Sequence, residues 1–439
     1  MVDPAPAVSR ASPTDSNSPA FLKAVTQLAA TRPVVTSRAI FNHQGIKLLE
    51  GGVQVDARLY ERLIEHRLAA PLDEDLDSAP TVTGPMLRSA AEAALARWPF
   101  FALMAPPGRA GEMVIQAIAA IPLPGPVAFH LTLARETRPA LFEHGILMAI
   151  LAAHLVREGG APIHDMTVAA TAGLLHDLGM LHIDPELLEP AKRLSGDARR
   201  PLYVHPVTSS MLIARFHEYP KAVSRAILEH HEVLDGSGYP RGLLGDAISP
   251  LGRLLSLCEV VTAMFDGERA FPEQRVSLLL RIGARRFDAT LVPSIHRLLG
   301  ACPPPAETAS TTVDDAVRQL RPLTALLTRF HAIEAATMPT LDEVGRTVLA
   351  AVAEQAGVLH RAMAEAGVTA GQLDQLLQTA DADARLRAEL WAVARELHWN
   401  LRASANLLRR LWRATVVGLE IPAELAAWVG EVEGLPAVE

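Results

Sequence analysis

Histidines are concentrated in one part of this 439-residue chain, and the most informative ones lie in or beside apolar runs with helical spacing. Nine of the sixteen histidines fall between His144 and His231. Polar side chains at the ends of apolar helices converge when those helices pack as a bundle. The sequence therefore predicts a helical bundle that gathers imidazoles around one site. The apolar runs cover residues 142–156, 168–178, 206–216, 222–230 and 251–264.

Composition supports a mainly α fold. Hydrophobic residues make up 49% of the chain, and the alternating apolar and polar patterns typical of strands are scarce. The formal net charge of −8 argues against a partner that is a nucleic acid polymer. The two cysteines, Cys258 and Cys302, form no disulfide framework, which favours a cytoplasmic location.

Shifts in composition divide the chain into four predicted segments. The start of the chain is rich in Pro, Ser and Ala and has no apolar signal core. Short apolar runs around Gly45 and Gly51-Gly52 predict hairpins, and Pro303-Pro304-Pro305 predicts a boundary because proline stops helices. The predicted segments are a disordered tail at 1–34, a small α+β hairpin module at 35–80, a helical bundle domain at 84–302 and a C-terminal helical domain at 303–439.

Two long helical patterns raise the question of what they pack against. The apolar run Ala140–Val156 contains Glu143, His144 and His154, which predicts a buried helix and no membrane span. A second helix is predicted from Asp383 to Val417. Its apolar seam is predicted to pack within its own domain, and a homodimer through the C-terminal helices is the alternative. The seam residues are Leu390, Val393, Leu397, Leu401, Leu408 and Leu411.

The candidate metal ligands combine imidazoles with carboxylates, a set that suits Fe, Mn or Zn better than Ca or Mg. A single histidine on an apolar helix is more often a hydrogen-bonded core residue, so the joint order and spacing carry the hypothesis. We interpret His154, His164 and His217 as structural; His154 lies about 280° around an ideal helix from His144. The candidate ligands are His144, His176, Asp177, His205, His230, His231 and Glu259.

One part of the chain resembles an HD-GYP domain, a subgroup of the HD phosphohydrolase superfamily. The resemblance covers about Leu131 to Pro272 and is most specific in the block from His230-His231-Glu232 to Asp235-Gly-Ser-Gly-Tyr-Pro240. It implies an HD-type helical bundle and hydrolysis of the bacterial second messenger cyclic di-GMP. The other matching segments are Phe142-Glu-His144, Leu174-Leu-His176-Asp177-Leu-Gly179, His205-Pro206 and Ile248-Ser-Pro250.

The resemblance also implies roles for individual residues. The seven candidates would hold two divalent transition-metal ions, Fe or Mn, and His176 and Asp177 would be the catalytic residues. Asp177 would be the carboxylate that bridges the two ions. The residues implied in substrate binding are Asp235, Gly238, Tyr239 and Arg269.

Several positions depart from the pattern of the family. Met180 stands where the family usually has a lysine that contacts phosphate, and a thioether carries no charge. Loss of one such donor costs on the order of 10²–10³ in rate. His182 either replaces the missing phosphate donor in part or is a loop histidine. The remaining departures are Glu259 and Thr262 in place of aspartates, and Ala140 in place of a glutamate that binds a third ion.

Three functions remain open from the sequence. The first is an active cyclic di-GMP phosphodiesterase, motivated by the near-complete ligand set. The second is a degenerate domain that binds cyclic di-GMP or signalling-protein partners without turnover, motivated by Met180, Glu259 and Thr262. The third is hydrolysis of another nucleotide, against which the turn from Asp235 to Pro240 argues.

Overall fold

Helices make up most of the computed structural model, which confirms the prediction of a mainly α fold. The chain forms two compact units, one of residues 1–267 with 293–298, and one of residues 268–292 with 299–439. The structure describes residues 18–56, 63, 66, 68–188, 200–266, 272–283, 285–302, 313–365, 368–369, 371–373, 384–415 and 420–435.

The helices in the first part of the chain supply the candidate ligands. Prolines occupy the first turn of several of them, where the missing N–H costs no hydrogen bond. The helices are α1 Pro19–Thr31, α2 Gly84–Arg97, α3 Pro99–Ala102, α4 Arg109–Ala119, α5 Gly125–Thr137, α6 Pro139–Glu158, α7 Ile163–Leu175, α8 Arg200–Ile213, α9 Lys221–Glu229 and α10 Pro250–Thr262. Short 3-10 helices lie at Leu72–Glu74, Leu178–His182, Pro185–Leu188 and Gly245–Ala247.

Helices α6 and α7 pack closely because two glycines lie in their contact. A Cβ at Gly145 would lie 2.8 Å from the carbonyl oxygen of Leu174, and one at Gly173 would lie 2.9 Å from the carbonyl of Met148. Real Cβ atoms do not approach other atoms this closely, so any larger residue would push the helices apart. This close packing holds His144, at the start of α6, beside His176 at the end of α7.

The prediction of a disordered tail over residues 1–34 is wrong for Pro19–Thr31, which form helix α1. The Ser18 hydroxyl accepts the N–H of Phe21 and caps the helix. The ring of Phe21 contacts the rings of His130 and His182, at centroid distances of 5.0 and 4.8 Å. The helix forms because its apolar face is buried, although the residues before it are polar. Residues 1–17 lie outside the described residues. The buried side chains of α1 are Phe21, Leu22, Ala24, Val25 and Leu28.

Two small antiparallel ladders form the predicted hairpin module. Strand β1 (Val35–Thr36) pairs with β4 (Leu76–Asp77), and β2 (Ile40–Phe41) pairs with β3 (Lys47–Leu49). The β2–β3 turn passes through Gly45, whose φ of +77° favours glycine. These strands belong to the first compact unit together with the ligand-bearing helices, and the bounds of the hairpin module at 35–80 stay a prediction.

The second unit has its own hydrophobic core. The apolar seam of the predicted long helix lies in that core, which also contains Phe330 and Trp428. This agrees with packing of the seam within its own domain, where Leu411 is partly buried and the other five seam residues are buried. The predicted boundary at Pro303–Pro305 lies outside the described residues. The later helices are α11 Pro272–Ile282, α12 Val292–Ala301, α13 Val313–Thr337, α14 Glu343–Glu365, α15 Ala384–Thr415 and α16 Ala423–Gly434, with a 3-10 helix at Met338–Thr340.

Helix α6 is long and apolar enough to cross a membrane by length and composition, and no other helix within the described residues passes that test. About two thirds of its apolar window (67%) is buried inside the protein. A buried core helix passes the same test, and α6 packs against α7, α5 and α10. The burial agrees with the predicted core helix.

Candidate metal centre

The seven candidate ligands converge at the ends and faces of five helices. His144 lies on α6 and His205 on α8. His176 directly follows α7 and His230 directly follows α9, so that Asp177 and His231 are the next residues along the chain. Helix α10 carries Glu259. All seven side chains lie in the first compact unit and form two adjoining groups.

The first group consists of His144, His176 and Glu259. The Nε2 atoms of His144 and His176 lie 3.0 and 3.3 Å from Oε2 of Glu259. The ligand atoms of the group all lie within 4.8 Å of one another. Two imidazole nitrogens and one carboxylate oxygen therefore point into one small volume.

The second group consists of Asp177, His205, His230 and His231. The Nε2 atom of His205 lies 3.2 Å from that of His230 and 3.1 Å from that of His231. Oδ1 of Asp177 lies 3.1 Å from Nε2 of His205 and 3.6 Å from Nε2 of His230. Three imidazoles and one carboxylate oxygen thus share this second volume.

Asp177 lies between the two groups. Its Oδ1 faces the second group, whereas its Oδ2 lies 3.5 Å from Nε2 of His176 in the first group. Each oxygen of the carboxylate is directed to a different group. This arrangement suits the bridging role that the family resemblance implies for Asp177.

Backbone carbonyls fix the tautomers of three histidines. The Nδ1 atoms of His176 and His230 lie 2.7 and 2.6 Å from the carbonyl oxygens of Gly173 and Ile227, and Nδ1 of His205 bonds to the carbonyl oxygen of Leu202. A carbonyl oxygen only accepts, so each Nδ1 carries the hydrogen. When such an imidazole is neutral, its lone pair is therefore on Nε2, the atom that points into the site.

The sequence explains why these carbonyls are available. Helices α7 and α9 end one residue before His176 and His230, so the carbonyls of their last turns have no helical partner. In α8 the residue that would bond to the carbonyl of Leu202 is Pro206, which has no N–H. The proline after His205 thus frees the acceptor that orients His205.

The donor set fits divalent metal ions. The Nε2 atoms of His205 and His230 are both acceptors and face each other at 3.2 Å with no hydrogen between them. Nε2 of His176 and Oδ1 of Asp177 are buried and accept no hydrogen bond. Buried lone pairs that face one another are unfavourable unless a cation lies among them.

Electrostatic coupling in the site is strong. Burial opposes ionisation of the Asp177 and Glu259 carboxyls, but the neighbouring histidines outweigh it and hold both pKa values well below the usual range. Burial lowers the pKa of His176, but Asp177 and Glu259 raise it to about 9. Burial and neighbouring imidazoles lower the pKa of His230, and burial lowers that of His231 to about 3. The carboxylates are thus ready to accept positive charge.

Asp266 belongs to the site although the sequence analysis did not identify it. Its Oδ1 lies 3.1 Å from Nδ1 of His144, whose Nε2 faces Glu259. A carboxylate on the outer nitrogen of a ligating histidine fixes the ring and makes the ligand more basic. His144 is thereby oriented by a side chain, whereas three other ligands use backbone carbonyls. Asp266 follows α10 outside any recognisable motif.

Two buried glutamates hold the glycine-rich turn after His231. The Glu232 carboxylate accepts the backbone N–H groups of Arg241, Gly242 and Leu243 at 2.6 to 3.2 Å. The Glu229 carboxylate accepts from Ser249, Arg225 and Arg241, and these bonds lower its pKa against the effect of burial. Both glutamates flank the paired histidines, so they fix the turn to the ligands.

The predicted substrate-binding residues of this turn have contacts within the turn itself. Oδ1 of Asp235 accepts the N–H and the hydroxyl of Ser237. A Cβ at Gly238 would lie 2.5 Å from the carbonyl oxygen of His231, so only glycine fits there. The ring of Tyr239 stacks on His231 at 4.5 Å with an interplanar angle of 22°. Arg269, the fourth predicted residue, lies outside the described residues.

Two described residues near Met180, Arg138 and His182, have contacts of their own. The guanidinium of Arg138 donates to the carbonyls of Met180 and Ile183, so these N–H groups are already engaged. The ring of His182 lies on Phe21, and burial lowers its pKa to about 3. A neutral, buried imidazole in this position supplies no charge to a phosphate. His182 is therefore the structural histidine of the two alternatives.

The three histidines interpreted as structural lie outside both ligand groups. Nδ1 of His154 lies 3.2 Å from the carbonyl oxygen of Met104, and burial lowers the pKa of His154 to about 4. The side chain of His217 is 95% exposed. Neither these two nor His164 is among the grouped ligands.

Comparison with known proteins places the site within a domain family. Residues 131–291 match the family model described as HD domain. A 3′3′-cGAMP-specific phosphodiesterase of Vibrio cholerae is 33% identical over 123 residues, which are 28% of this chain and 28% of that protein. The cyclic di-GMP phosphodiesterase PA4108 of Pseudomonas aeruginosa is 33% identical over 127 residues, 28% of this chain and 30% of that protein. The cyclic di-GMP phosphodiesterase response regulator RpfG of Xanthomonas campestris is 33% identical over 178 residues, 38% of this chain and 47% of that protein.

The matches confirm the resemblance found in the sequence. The chain contains an HD domain, and its curated relatives are named phosphodiesterases of cyclic dinucleotides. The chain spans less than half the length of these relatives.

Proposed function

We propose that this protein hydrolyses cyclic di-GMP with two divalent transition-metal ions held by the HD domain. The observation that carries the proposal is the arrangement of seven ligands in two adjoining groups, with one oxygen of Asp177 directed to each. The names of the curated relatives support the substrate class. Hydrolysis would break one phosphodiester bond to give pGpG, and a second cleavage would give GMP.

The residues of the chain would contribute position and charge. When bound, two such ions would supply Lewis acidity and lower the pKa of an attacking water. His144, His176 and Glu259 would hold one ion and His205, His230 and His231 the other, with Asp177 shared. The carbonyl bonds to Nδ1 keep the Nε2 lone pairs directed inward before any ligand arrives. Such preorganisation lowers the cost of stabilising charge in the transition state.

The nature of the ions belongs to the same proposal. Mixed imidazole and carboxylate ligands favour Fe or Mn, and two groups favour two ions. We propose a cytoplasmic location as well, because a reduced pair of cysteines fits that compartment. A homodimer remains a proposal that would need a surface other than the α15 seam, since that seam is buried in its own unit.

A second function has one observation in its favour. Met180 stands where the family usually has a lysine that contacts phosphate. The N–H groups of Arg138 nearby donate to the backbone carbonyls of Met180 and Ile183. A site that holds ions but binds phosphate weakly would serve as a sensor that binds cyclic di-GMP or a signalling protein. This alternative differs from the first only in turnover, so an activity measurement separates them.

The test is release of pGpG or GMP from cyclic di-GMP by protein purified without oxygen and loaded with Fe or Mn. We expect turnover by the wild type and a loss of at least about 10³-fold in Asp177→Ala, since one side chain serves both groups. An Asp246→Ala variant is the matched control, because that carboxylate is exposed, pairs with Arg253 and lies outside both ligand groups. Metal-loaded protein that binds cyclic di-GMP without releasing product would overturn the enzyme proposal and favour the sensor.

A further inference from the structure

Tyr203 is an exposed aromatic residue beside the metal centre. It lies on α8 two residues before His205, and 39% of its surface is exposed. Large aromatic rings usually bury more of their surface than this, because they carry a large apolar area. Tyr203 therefore offers exposed apolar surface beside the metal centre.

A chain of ring contacts connects Tyr203 to a candidate metal ligand. Its ring meets that of Tyr239 edge to face at 4.6 Å and 74°, and Tyr239 stacks on His231 at 4.5 Å. Tyr239 also lies 6.4 Å from the ring of His205. Tyr239 fills the space between the ligands and Tyr203, so Tyr203 is the outer ring of the series.

We propose that Tyr203 and Tyr239 form a base-stacking corner, in which the exposed ring of Tyr203 packs against one purine of a nucleotide whose phosphate lies at the metal centre. The inference rests on the proposed function, because it assumes that the centre takes a phosphate. In a nucleotide only a ribose separates the base from the phosphate, and only one ring separates Tyr203 from His231. Tyr203 would therefore be a specificity-determining residue for nucleotides.

The chemistry of stacking defines what the corner recognises. Stacking on an aromatic side chain tolerates any base, because every base has a π face. The corner would thus favour dinucleotides over phosphodiesters without bases, and it would not separate guanine from adenine. Cyclic di-GMP and 3′3′-cGAMP should depend on Tyr203 to a similar degree.

The test compares two monophosphates that differ only in the base. GMP and ribose 5-phosphate are titrated into the full-length, metal-loaded protein by calorimetry, so the readout does not require turnover. We expect Tyr203→Ala to weaken GMP binding by about 5- to 150-fold, the contribution of one stacked base, and to change the affinity for ribose 5-phosphate by less than about twofold. Tyr203→Phe keeps the ring and should keep the affinity for GMP.

Controls separate stacking from other effects. Phe41→Ala removes an exposed ring of similar accessibility on strand β2 and should leave both affinities unchanged. An equal loss of affinity for GMP and for ribose 5-phosphate in Tyr203→Ala would mean that Tyr203 acts by keeping the metal centre in position, and would overturn the proposal. Wild-type protein that binds GMP no better than ribose 5-phosphate would overturn it too. Absence of cyclic di-GMP turnover alone would count against the proposed function and leave this inference standing.

Discussion

At the scale of single residues, the neighbours of a metal-ligating side chain determine whether it is oriented to bind a metal ion. Pro206 frees the carbonyl that accepts from His205, and the helix ends before His176 and His230 do the same for those residues. The sequence contains these features, but their effect on the tautomers depends on helix ends that are visible only in the fold. Asp266 was missed for a similar reason, because nothing in its local sequence indicates contact with His144 across 122 positions.

Removal of Asp266 tests the orientation of His144. We expect Asp266→Ala to weaken binding of one of two metal ions by about 10- to 100-fold, because the outer carboxylate orients the ligand. Asp266→Asn keeps an acceptor oxygen and should lose less metal affinity than Asp266→Ala. Metal affinity is measured by competition with a chelator. Two ions bound as tightly as in the wild type would show that His144 needs no such partner.

Restoring the missing positive charge tests the importance of Met180. Met180→Lys places an ammonium group in the segment directly after Asp177, and we expect kcat for cyclic di-GMP to rise by about tenfold or more. Met211→Lys is the matched control, since Met211 is exposed on α8 and is not one of the grouped ligands. An unchanged kcat in Met180→Lys would mean that the phosphate is already fully held by other groups.

At the scale of elements, periodic apolar patterns predict helices well and composition predicts tails less well. The long apolar runs became α6, α7, α9 and α10. Helix α1 was predicted as part of a tail because the residues before it are polar and rich in proline. Its five buried side chains show that short amphipathic segments fold when a partner surface exists. That surface includes His130 and His182, which no local pattern connects to Phe21.

Phe21 anchors α1 to the first unit. Phe21→Ala removes a fully buried ring that packs against two imidazoles, so we expect a loss of about 3–5 kcal/mol in the free energy of unfolding. Phe41→Ala, at an exposed ring, should cost less than about 0.5 kcal/mol. Chemical denaturation measures both. A Phe21→Ala variant as stable as the wild type would mean that α1 does not dock in solution.

At the scale of the whole molecule, neutral buried histidines connect stability to pH. Burial lowers the pKa of His130, of His154 to about 4 and of His182 to about 3. The unfolded chain takes up protons at these sites near pH 6.5, whereas the folded chain does not. The stabilisation is therefore complete near neutral pH and is lost as the pH falls from about 6.5 towards 4.

The pH dependence can be assigned to a single histidine by substitution. For His154 the difference between folded and unfolded pKa corresponds to a loss of about 2 kcal/mol at pH 5. We expect His154→Gln to reduce the change in unfolding free energy between pH 7 and pH 5 by about that amount. His217→Gln, at an exposed histidine, should not alter the change. Equal pH dependence in wild type and His154→Gln would contradict the assignment.

The central claim is that one shared carboxylate joins two ligand groups into a two-metal centre. Metal content of protein purified without oxygen, measured for the wild type and for Asp177→Ala, tests it most directly. We predict about two transition-metal ions per chain in the wild type and at most one in the variant, because Asp177 faces both groups. A wild type that binds no transition metal, or a variant that retains both ions, would contradict the account.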